Sequence, residues 1–450
     1  MTDPTALAPP RQLSLLQTSS LVVGTVIGSG VFLSLPIVAR IGLNPLLTVL
    51  IWFLGGVVWI PQILVLAEMG TAYPIQGGAY YYLNKAGSPF LAFFYTWTAF
   101  LTSDTPTLTI VALGAISALK FFSPLFGDAA IARVLAAALI IGLALLHYRS
   151  VRTGGNLQIL LTIAKLTPLL SIVVIGMFFL GSGNTEGGTV PVSSAGIFAV
   201  ITAGISSTLW SYAGFTNILY MAGEVKQPER TLPRALIGSL VFVMIAYTLI
   251  SLCTSAIVPY DDLIAARGDF VNPFQYIGIG AAVAGGVFAV AVFISMLGVL
   301  NASIMVQPRL EYAIARDGLF FSVFGHLHPK YLTPDYSILI QCGLAIVLFL
   351  LGDIENMIGY FTLSYALQNG IVYGAIFFLR KREDYHPTYR SPWWKGMAVL
   401  AMGTQIYVAV GTFLAYPTGG LLASLALILS GLPVYFYYAS RKRSLSGAPS

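Results

Sequence analysis

Residues 21 to 32 decide how the whole sequence is interpreted, and they read Leu21-Val22-Val23-Gly24-Thr25-Val26-Ile27-Gly28-Ser29-Gly30-Val31-Phe32. The stretch belongs to an apolar run that starts at Leu13 and is long enough to cross a bilayer, which takes about 20 residues. Two glycines flank Ser29 near mid-span, and each costs about 1 kcal/mol relative to alanine inside a helix, so local unwinding is favoured. Unwound backbone at membrane depth occurs only beside protein or a watery cavity. A small-residue face for helix packing explains the same pattern equally well.

The composition places the chain among integral membrane proteins, because 57% of its 450 residues are hydrophobic and only 9% are charged. No polar stretch exceeds about 25 residues, which excludes a separate catalytic or receptor domain of about 50 residues or more. The run from Leu13 has no small-residue cleavage site, so we expect a retained span and not a signal peptide.

The apolar runs predict an all-α fold with twelve transmembrane helices. The predicted spans are residues 13–38, 45–67, 89–119, 129–147, 156–181, 197–222, 234–258, 274–307, 335–351, 354–379, 394–415 and 420–440. They group into a tail at 1–12, a five-helix repeat at 13–181, a second and inverted repeat at 197–380, two peripheral helices at 394–440 and a tail at 441–450.

The basic residues predict the orientation. Assigning alternate loops to the side of the termini collects eighteen Lys and Arg residues there, against four on the other side, with Lys165 inside a span. Because short cytoplasmic loops carry the excess of Lys and Arg, both termini are predicted to be cytoplasmic in a multi-pass cell-membrane protein. This bias accounts for the net charge of +6, so no nucleic-acid partner is needed.

A second interruption lies in predicted span six, where Trp210-Ser211-Tyr212-Ala213-Gly214-Phe215-Thr216-Asn217 again puts small and polar residues in mid-span. Spans one and six occupy equivalent positions in the two predicted repeats. Interrupted helices in corresponding positions of two repeats indicate a secondary transporter with its substrate near the midplane.

The two interruptions suggest a ligand. Freed N–H groups around Ser29, Gly30 and Val31 open a half-helix, and the helix dipole there favours a carboxylate. Freed carbonyls near Val26 and Ile27, with those near Trp210 and Ser211, suit an ammonium group. An amino acid carries both, although other zwitterions or small anions fit the same backbone. We therefore predict substrate binding by Val26, Ile27, Gly28, Ser29, Gly30, Val31, Trp210, Ser211, Ala213 and Gly214.

Four stretches resemble the amino acid-polyamine-organocation superfamily, in particular its L-type amino acid transporter branch. They are Gly24 to Phe32; Ala67-Glu68-Met69-Gly70 with Tyr73-Pro74 and Gly77-Gly78-Ala79-Tyr80; Glu224 to Arg230 with Leu232-Pro233-Arg234; and Arg309 with Tyr312 and Ala315 to Gly318. The resemblance covers the first ten spans in order. It implies two inverted five-helix repeats, with broken helices one and six, that work by alternating access.

The resemblance also implies roles for two residues. Trp210 matches the aromatic gate over the substrate, with a core or interfacial tryptophan as the alternative. Lys165 matches a span-five lysine of sodium-independent members, whose ammonium group takes the place of a sodium ion. Lys165 lies roughly 15 Å from the start of its span, which disfavours snorkelling, so it needs partners such as the Ile27 carbonyl, Asn301 or Ser303.

Two features depart from the family. Animal members pair with a glycoprotein through a cysteine after span three, but residues 120–133 contain none, so no disulfide-linked heavy chain is expected. Asp104 is the only acid placed deep in the predicted spans and matches no family position. It reads a substrate side chain, binds a proton or makes a structural hydrogen bond, and the sequence does not choose among these.

The remaining polar residues suggest little further chemistry. Two cysteines in apolar runs and four scattered histidines support no disulfide, metal or other cofactor, and the histidines are predicted to be solvated. Gln368 and Asn369 are predicted to link helices. A membrane enzyme or a channel would show acid clusters, a nucleophile elbow or a filter motif. We therefore predict a sodium-independent transporter of neutral amino acids and not an enzyme; exchange is favoured, with proton symport or cationic substrates as alternatives.

Overall fold

A computed structural model of the chain describes residues 9–28, 30–180, 196–209, 211–266, 271–351, 354–415, 425–426 and 429–446. These ranges are helical apart from loops and one isolated bridge between Leu13 and Val225. Seven described segments are long and apolar enough to cross a membrane, namely Leu15–Phe32, Pro45–Ala72, Pro89–Phe121, Ala129–Arg149, Val151–Phe179, Pro228–Ile257 and Ala281–Arg316. Shorter apolar helices occupy Gly196–Leu209 and Asp335–Phe349.

We number the α-helices of the described ranges in chain order. They are α1 (Leu15–Val26), α2 (Gly30–Gly42), α3 (Pro45–Ala72), α4 (Ala79–Lys85), α5 (Pro89–Thr98), α6 (Thr105–Ala118), α7 (Ala129–Arg149), α8 (Val151–Phe179), α9 (Gly196–Leu209), α10 (Pro228–Ile257), α11 (Tyr260–Ala265), α12 (Ala281–Val306), α13 (Pro308–Arg316), α14 (Asp335–Leu351), α15 (Ile354–Gly374), α16 (Ile376–Leu379), α17 (Trp394–Ala415) and α18 (Gly431–Ser446). A π-helix joins α5 to α6 at Ala99–Asp104, and a 3₁₀ helix spans Phe215–Glu224.

The first predicted span is two helices, α1 and α2, with a break between them. Helix α1 begins with a capping box in which Ser14 Oγ accepts from Gln17 N and Gln17 Oε1 accepts from Ser14 N. It ends where Ile27 turns to an extended backbone (φ −78°, ψ 95°). The unwinding predicted from the glycine pair is therefore present, because the chain leaves α1 one residue before Gly28.

The second interruption replaces the middle of predicted span six. Helix α9 ends at Leu209, residues 211 to 214 form turns, and the 3₁₀ helix starts at Phe215. Gly214 has φ +121°, and a Cβ there would lie 3.0 Å from the Thr25 carbonyl oxygen. Glycine is required at this position because both the backbone angle and the close approach exclude a side chain.

Helix α10 holds the two breaks together from one side. Trp52 of α3, Tyr212 of the second break and Tyr247 of α10 form an aromatic cluster, with ring centroids 5.4 Å apart for Trp52 and Tyr247 and 5.0 Å for Tyr212 and Tyr247. The Tyr212 hydroxyl donates to the Trp52 carbonyl at 2.9 Å. These contacts anchor the second break on α3 and α10.

The π-helix between α5 and α6 has a local cause. Pro106 has no N–H to donate to the carbonyl of Thr102, four residues earlier, so one α-helical hydrogen bond is missing at this point. The Thr105 N–H instead bonds the Phe100 carbonyl, five residues back. This widened turn ends at Asp104 and orients that residue.

Candidate substrate site

A cavity of about 130 Å³ lies where the two interrupted helices meet. Six of the ten residues predicted to bind substrate line it, namely Val26, Gly28, Gly30, Ser211, Ala213 and Gly214. An engineered apolar cavity of about 150 Å³ holds one benzene molecule, so this cavity has room for roughly six to eight non-hydrogen atoms, the size of a small amino acid.

Of the other four predicted substrate residues, two are described by the structure, and neither lines the cavity. Ile27 and Val31 have no exposed surface. Ser29 and Trp210 lie outside the described residues.

The backbone of both breaks is joined by one hydroxyl group. Tyr247 Oη lies 3.3 Å from the Val26 carbonyl oxygen and 3.1 Å from that of Ser211, so its proton is shared between the two breaks. Gly30 packs so closely on Ser211 that a Cβ would lie 3.1 Å from Ser211 Oγ. The site is therefore formed by backbone from two distant stretches of sequence held in direct contact.

Lys165 is buried against the first break, with 1% of its surface exposed. Its ammonium group donates to the carbonyl oxygens of Gly24 at 2.9 Å and of Ile27 at 2.6 Å. Helix α12 approaches the same point, where a Cβ on Gly298 would lie 3.4 Å from Lys165 Nζ and Ser295 Oγ donates to Ile27 O at 3.3 Å. The Ile27 carbonyl thus already accepts two hydrogen bonds, one from Lys165 and one from Ser295.

The two side chains named as further partners of Lys165 lie elsewhere. Ser303 lines the substrate cavity. Asn301 donates to Gln158 Oε1 at 2.7 Å, and its Oδ1 accepts from His147 Nε2 at 3.0 Å. Gln158 in turn donates to the Ser20 carbonyl of α1 at 3.4 Å, so Asn301 reaches α1 through Gln158.

His147 corrects the prediction of solvated histidines. It has 1% of its surface exposed, because α7 continues to Arg149 and carries this residue into the interface with α8 and α12. His147 was predicted to be solvated because it lies near the end of a predicted span. Its partner Asn301 lies 154 residues further along the chain, so the sequence around His147 does not indicate the contact. His326 is partly exposed and bonds Asp335 at 2.7 Å.

Gln368 and Asn369 link helices, as predicted. Gln368 donates to Thr98 Oγ1 of α5 at 3.0 Å, and Asn369 Oδ1 accepts from Thr216 Oγ1 at 3.3 Å.

Asp104 lines the same cavity as the two breaks. It has 5% of its surface exposed, and its Oδ2 has no hydrogen-bond partner among the described residues. The arrangement brings one acidic side chain into the space that the broken helices enclose.

Sequence reasoning missed several residues that line the cavity. They are Thr25, Thr107, Ile110, Val111, Asn217, Met296, Val299, Gln307 and Tyr365. Tyr365 Oη accepts from the Gly214 N–H at 3.2 Å and lies 3.2 Å from Thr216 Oγ1. Asn217 directly follows the second interruption and could have been found there, whereas nothing in the sequence around Tyr365 marks it.

The resembling stretches beyond the breaks meet as buried polar pairs. Arg309 Nε donates to Glu224 Oε1 at 3.0 Å, with both side chains 1% exposed or less. Tyr80 Oη donates to Asp317 Oδ2 at 2.8 Å. These contacts join the segments that follow predicted spans two, six and eight on the α4, α13 side of the fold.

Long apolar helices and two interrupted segments around a cavity define a multi-pass membrane protein of the transporter type. The family model described as amino acid permease matches residues 13–440. The chain therefore belongs to the amino acid permease family, within the amino acid-polyamine-organocation superfamily.

The relatives are amino acid transporters that align along nearly the whole chain. The serine/threonine exchanger SteT of Bacillus subtilis (strain 168) is 28% identical over 438 residues, covering 96% of this chain and 98% of that protein. The b(0,+)-type amino acid transporter 1 of Mus musculus is 26% identical, covering 96% of this chain and 88% of that protein. The cystine/glutamate transporter of Homo sapiens is 24% identical, covering 95% and 85%. The relatives are transporters and not enzymes.

Proposed function

We propose that this permease exchanges small neutral L-amino acids across the cell membrane by alternating access, independently of sodium. The observation that carries the proposal is the cavity at the two breaks, where backbone groups of α1, α2 and the second break face one space of about 130 Å³. The backbone suits an α-carboxylate and an α-ammonium group. The exchange mode is supported by likeness to a relative named as a serine/threonine exchanger.

Independence from sodium rests on Lys165. Its ammonium group already donates to the Gly24 and Ile27 carbonyls, which are the kind of oxygen ligands that a sodium ion would need. A bound cation beside this group would also meet like-charge repulsion. Ser303 and Asn301 are proposed to support coupling, Ser303 from the cavity and Asn301 through Gln158.

The complete architecture is proposed to be twelve transmembrane helices in two inverted five-helix repeats plus two peripheral helices. Both termini are cytoplasmic, in line with the eighteen-to-four distribution of basic residues. The protein acts without a disulfide-linked heavy chain, since residues 120–133 contain no cysteine.

The test is counterflow in proteoliposomes. Vesicles loaded with unlabelled L-serine should take up radiolabelled L-serine many-fold faster than empty vesicles, equally with sodium, potassium or choline outside. Sodium-driven accumulation would overturn the assignment of Lys165. Uptake into empty vesicles under a proton gradient would replace exchange by proton symport.

Trp210 is proposed to close over the bound substrate. Replacing it by alanine should slow exchange without loss of a monodisperse protein in detergent. Exchange at the wild-type rate would assign Trp210 to packing.

A further inference from the structure

Asp104 is a buried acidic residue whose carboxylate lacks a hydrogen-bond partner at Oδ2 among the described residues. It has 5% of its surface exposed. A buried carboxylate is normally paired or hydrogen-bonded, because removing it from water is costly. A partner from outside the chain would remove this cost.

Three of the four hydroxyl groups nearest to Asp104 in the chain donate to backbone carbonyls, and the fourth, Thr105 Oγ1, is buried with no hydrogen-bond partner among the described residues. Thr102 Oγ1 donates to the Thr98 carbonyl at 2.6 Å, Ser103 Oγ to the Ala99 carbonyl at 3.1 Å, and Thr107 Oγ1 to the Ser103 carbonyl at 2.6 Å. They satisfy the backbone of the widened turn and leave the Asp104 carboxylate unbound. Such π-helical turns occur frequently at functional sites.

The unsatisfied carboxylate faces the substrate space. Asp104 lines the same cavity as Gly28, Gly30 and Gly214. Among the described lining residues it is the only charged side chain, since the others are small, apolar, hydroxyl or amide groups. An amino acid held at the breaks by its carboxylate and ammonium groups has its side chain in this remaining space.

We infer that Asp104 recognises the side chain of the transported amino acid by accepting a hydrogen bond from a donor group on it. This rests on the proposed function and refines its substrate class: among neutral amino acids it favours a side chain with a hydroxyl donor, and it extends the class to short side chains that carry an ammonium group. Short side chains that end in a hydroxyl or an ammonium group are preferred over apolar side chains of the same size. A site that hydrogen-bonds a substrate group rejects analogues that lack it much more strongly than an apolar pocket rejects an altered side chain.

The experiment uses two isosteric pairs as competitors of radiolabelled L-alanine exchange in proteoliposomes. L-serine is compared with L-2-aminobutyrate, and L-2,4-diaminobutyrate with L-norvaline. The variants are Asp104→Asn, which keeps an acceptor without charge, and Asp104→Leu, which keeps the approximate shape without an acceptor. Asp128→Asn is the matched control, because Asp128 is an exposed acid that caps α7 and asparagine also caps helices.

In the wild type and the control, each donor-bearing competitor should inhibit at least about tenfold more strongly than its apolar isostere. Asp104→Leu should bring both ratios close to one. Asp104→Asn should keep the preference for serine and lose the preference for diaminobutyrate.

Competitor ratios equal to those of the wild type in Asp104→Leu would overturn the inference. This includes the case in which the exchange rate falls but the ratios are unchanged, which would make Asp104 a proton site. If Asp104→Leu is not monodisperse, an unchanged diaminobutyrate ratio in Asp104→Asn overturns it. A wild type that exchanges no amino acid overturns the proposed function itself, whereas alanine exchange with no preference in either pair overturns only this inference.

Discussion

Lys165 and Asp104 are both buried charged residues of predicted spans, but the fold satisfies only one of them. The Lys165 ammonium group has two carbonyl partners at 2.6 and 2.9 Å. The Asp104 carboxylate has none among the described residues and lines the cavity instead. A buried charged group that has hydrogen-bond partners within the chain holds the helices in place. A buried charged group without such partners beside a cavity is available to a ligand.

The largest expected effect comes from removing the satisfied charge. Lys165→Ala removes the ammonium donor of the Gly24 carbonyl and one of the two donors of the Ile27 carbonyl. It also opens a void beside α12. An unsatisfied buried acceptor costs about 1–3 kcal/mol, so exchange of labelled serine should fall about thirtyfold, the factor that corresponds to the middle of that range. Lys165→Met, which retains most of the side-chain volume, should lose nearly as much.

The control for this change is Lys120→Ala, because Lys120 is exposed outside the bundle core. Full activity of Lys165→Met would show that volume matters and not charge. The charge of Lys165 would then not be what holds the helices in place, and the contrast with Asp104 would no longer hold.

The next effect concerns the space that Asp104 faces. Gly30→Val adds a Cβ that would lie 3.1 Å from Ser211 Oγ and 3.2 Å from Ser211 Cα. Overpacking of this kind costs about 1–3 kcal/mol, and the added methyl groups also take up cavity volume. Serine affinity, measured as ligand-induced thermal stabilisation in detergent, should fall more than about tenfold.

Gly142→Val is the matched control, since nothing lies within 4 Å of a Cβ at Gly142. Unchanged affinity in Gly30→Val would move the substrate away from the first break.

A smaller effect is expected from the opposite wall of the cavity. Tyr365→Phe removes the hydroxyl that accepts from the Gly214 N–H at 3.2 Å. A typical hydrogen bond contributes about 0.5–1.5 kcal/mol, so KM for serine should rise about three- to tenfold with little change in stability. A KM equal to that of the wild type would mean that the second break keeps its shape without Tyr365.

The smallest effect is expected for a charge that water already solvates. Asp384, between α16 and α17, has its pKa held below its usual range by hydrogen bonds from Arg382 and Lys85. A carboxyl group whose pKa is lower in the folded protein than in the unfolded chain stabilises the fold at pH values above its unfolded-state pKa. This stabilisation is lost only as the pH falls through the folded-state pKa, so the contribution of Asp384 to stability should not change between pH 5 and 8. Because the pair is exposed, Asp384→Asn should alter Tm by less than about 2 °C. A fall in Tm much larger than this would mean that the contacts of Asp384 stabilise the fold as strongly as buried contacts do.

Local patterns predicted the interruptions but not their partners. The glycine pair predicted the end of α1, and the run after Trp210 predicted that α9 stops in mid-segment, because backbone propensity acts over a few neighbouring residues. Lys165 was predicted to need carbonyl partners, since an apolar run offers a lysine little else. Its binding to Gly24 depends on how α8 packs along α1, which the sequence does not express.

The sequence by itself determined the membrane class, the resemblance to the amino acid-polyamine-organocation superfamily, the broken helices and the few charged residues inside the predicted spans. Composition and hydropathy follow from residue types, and they need no knowledge of how helices pack. Only the tertiary structure decided that Tyr247 bridges both breaks, that His147 is buried against Asn301, that Lys165 also binds the Gly24 carbonyl, and that Tyr365 and Asp104 share one cavity. Most of these contacts join residues more than a hundred positions apart, and all of them arise from the way whole helices pack, which no local stretch of sequence encodes.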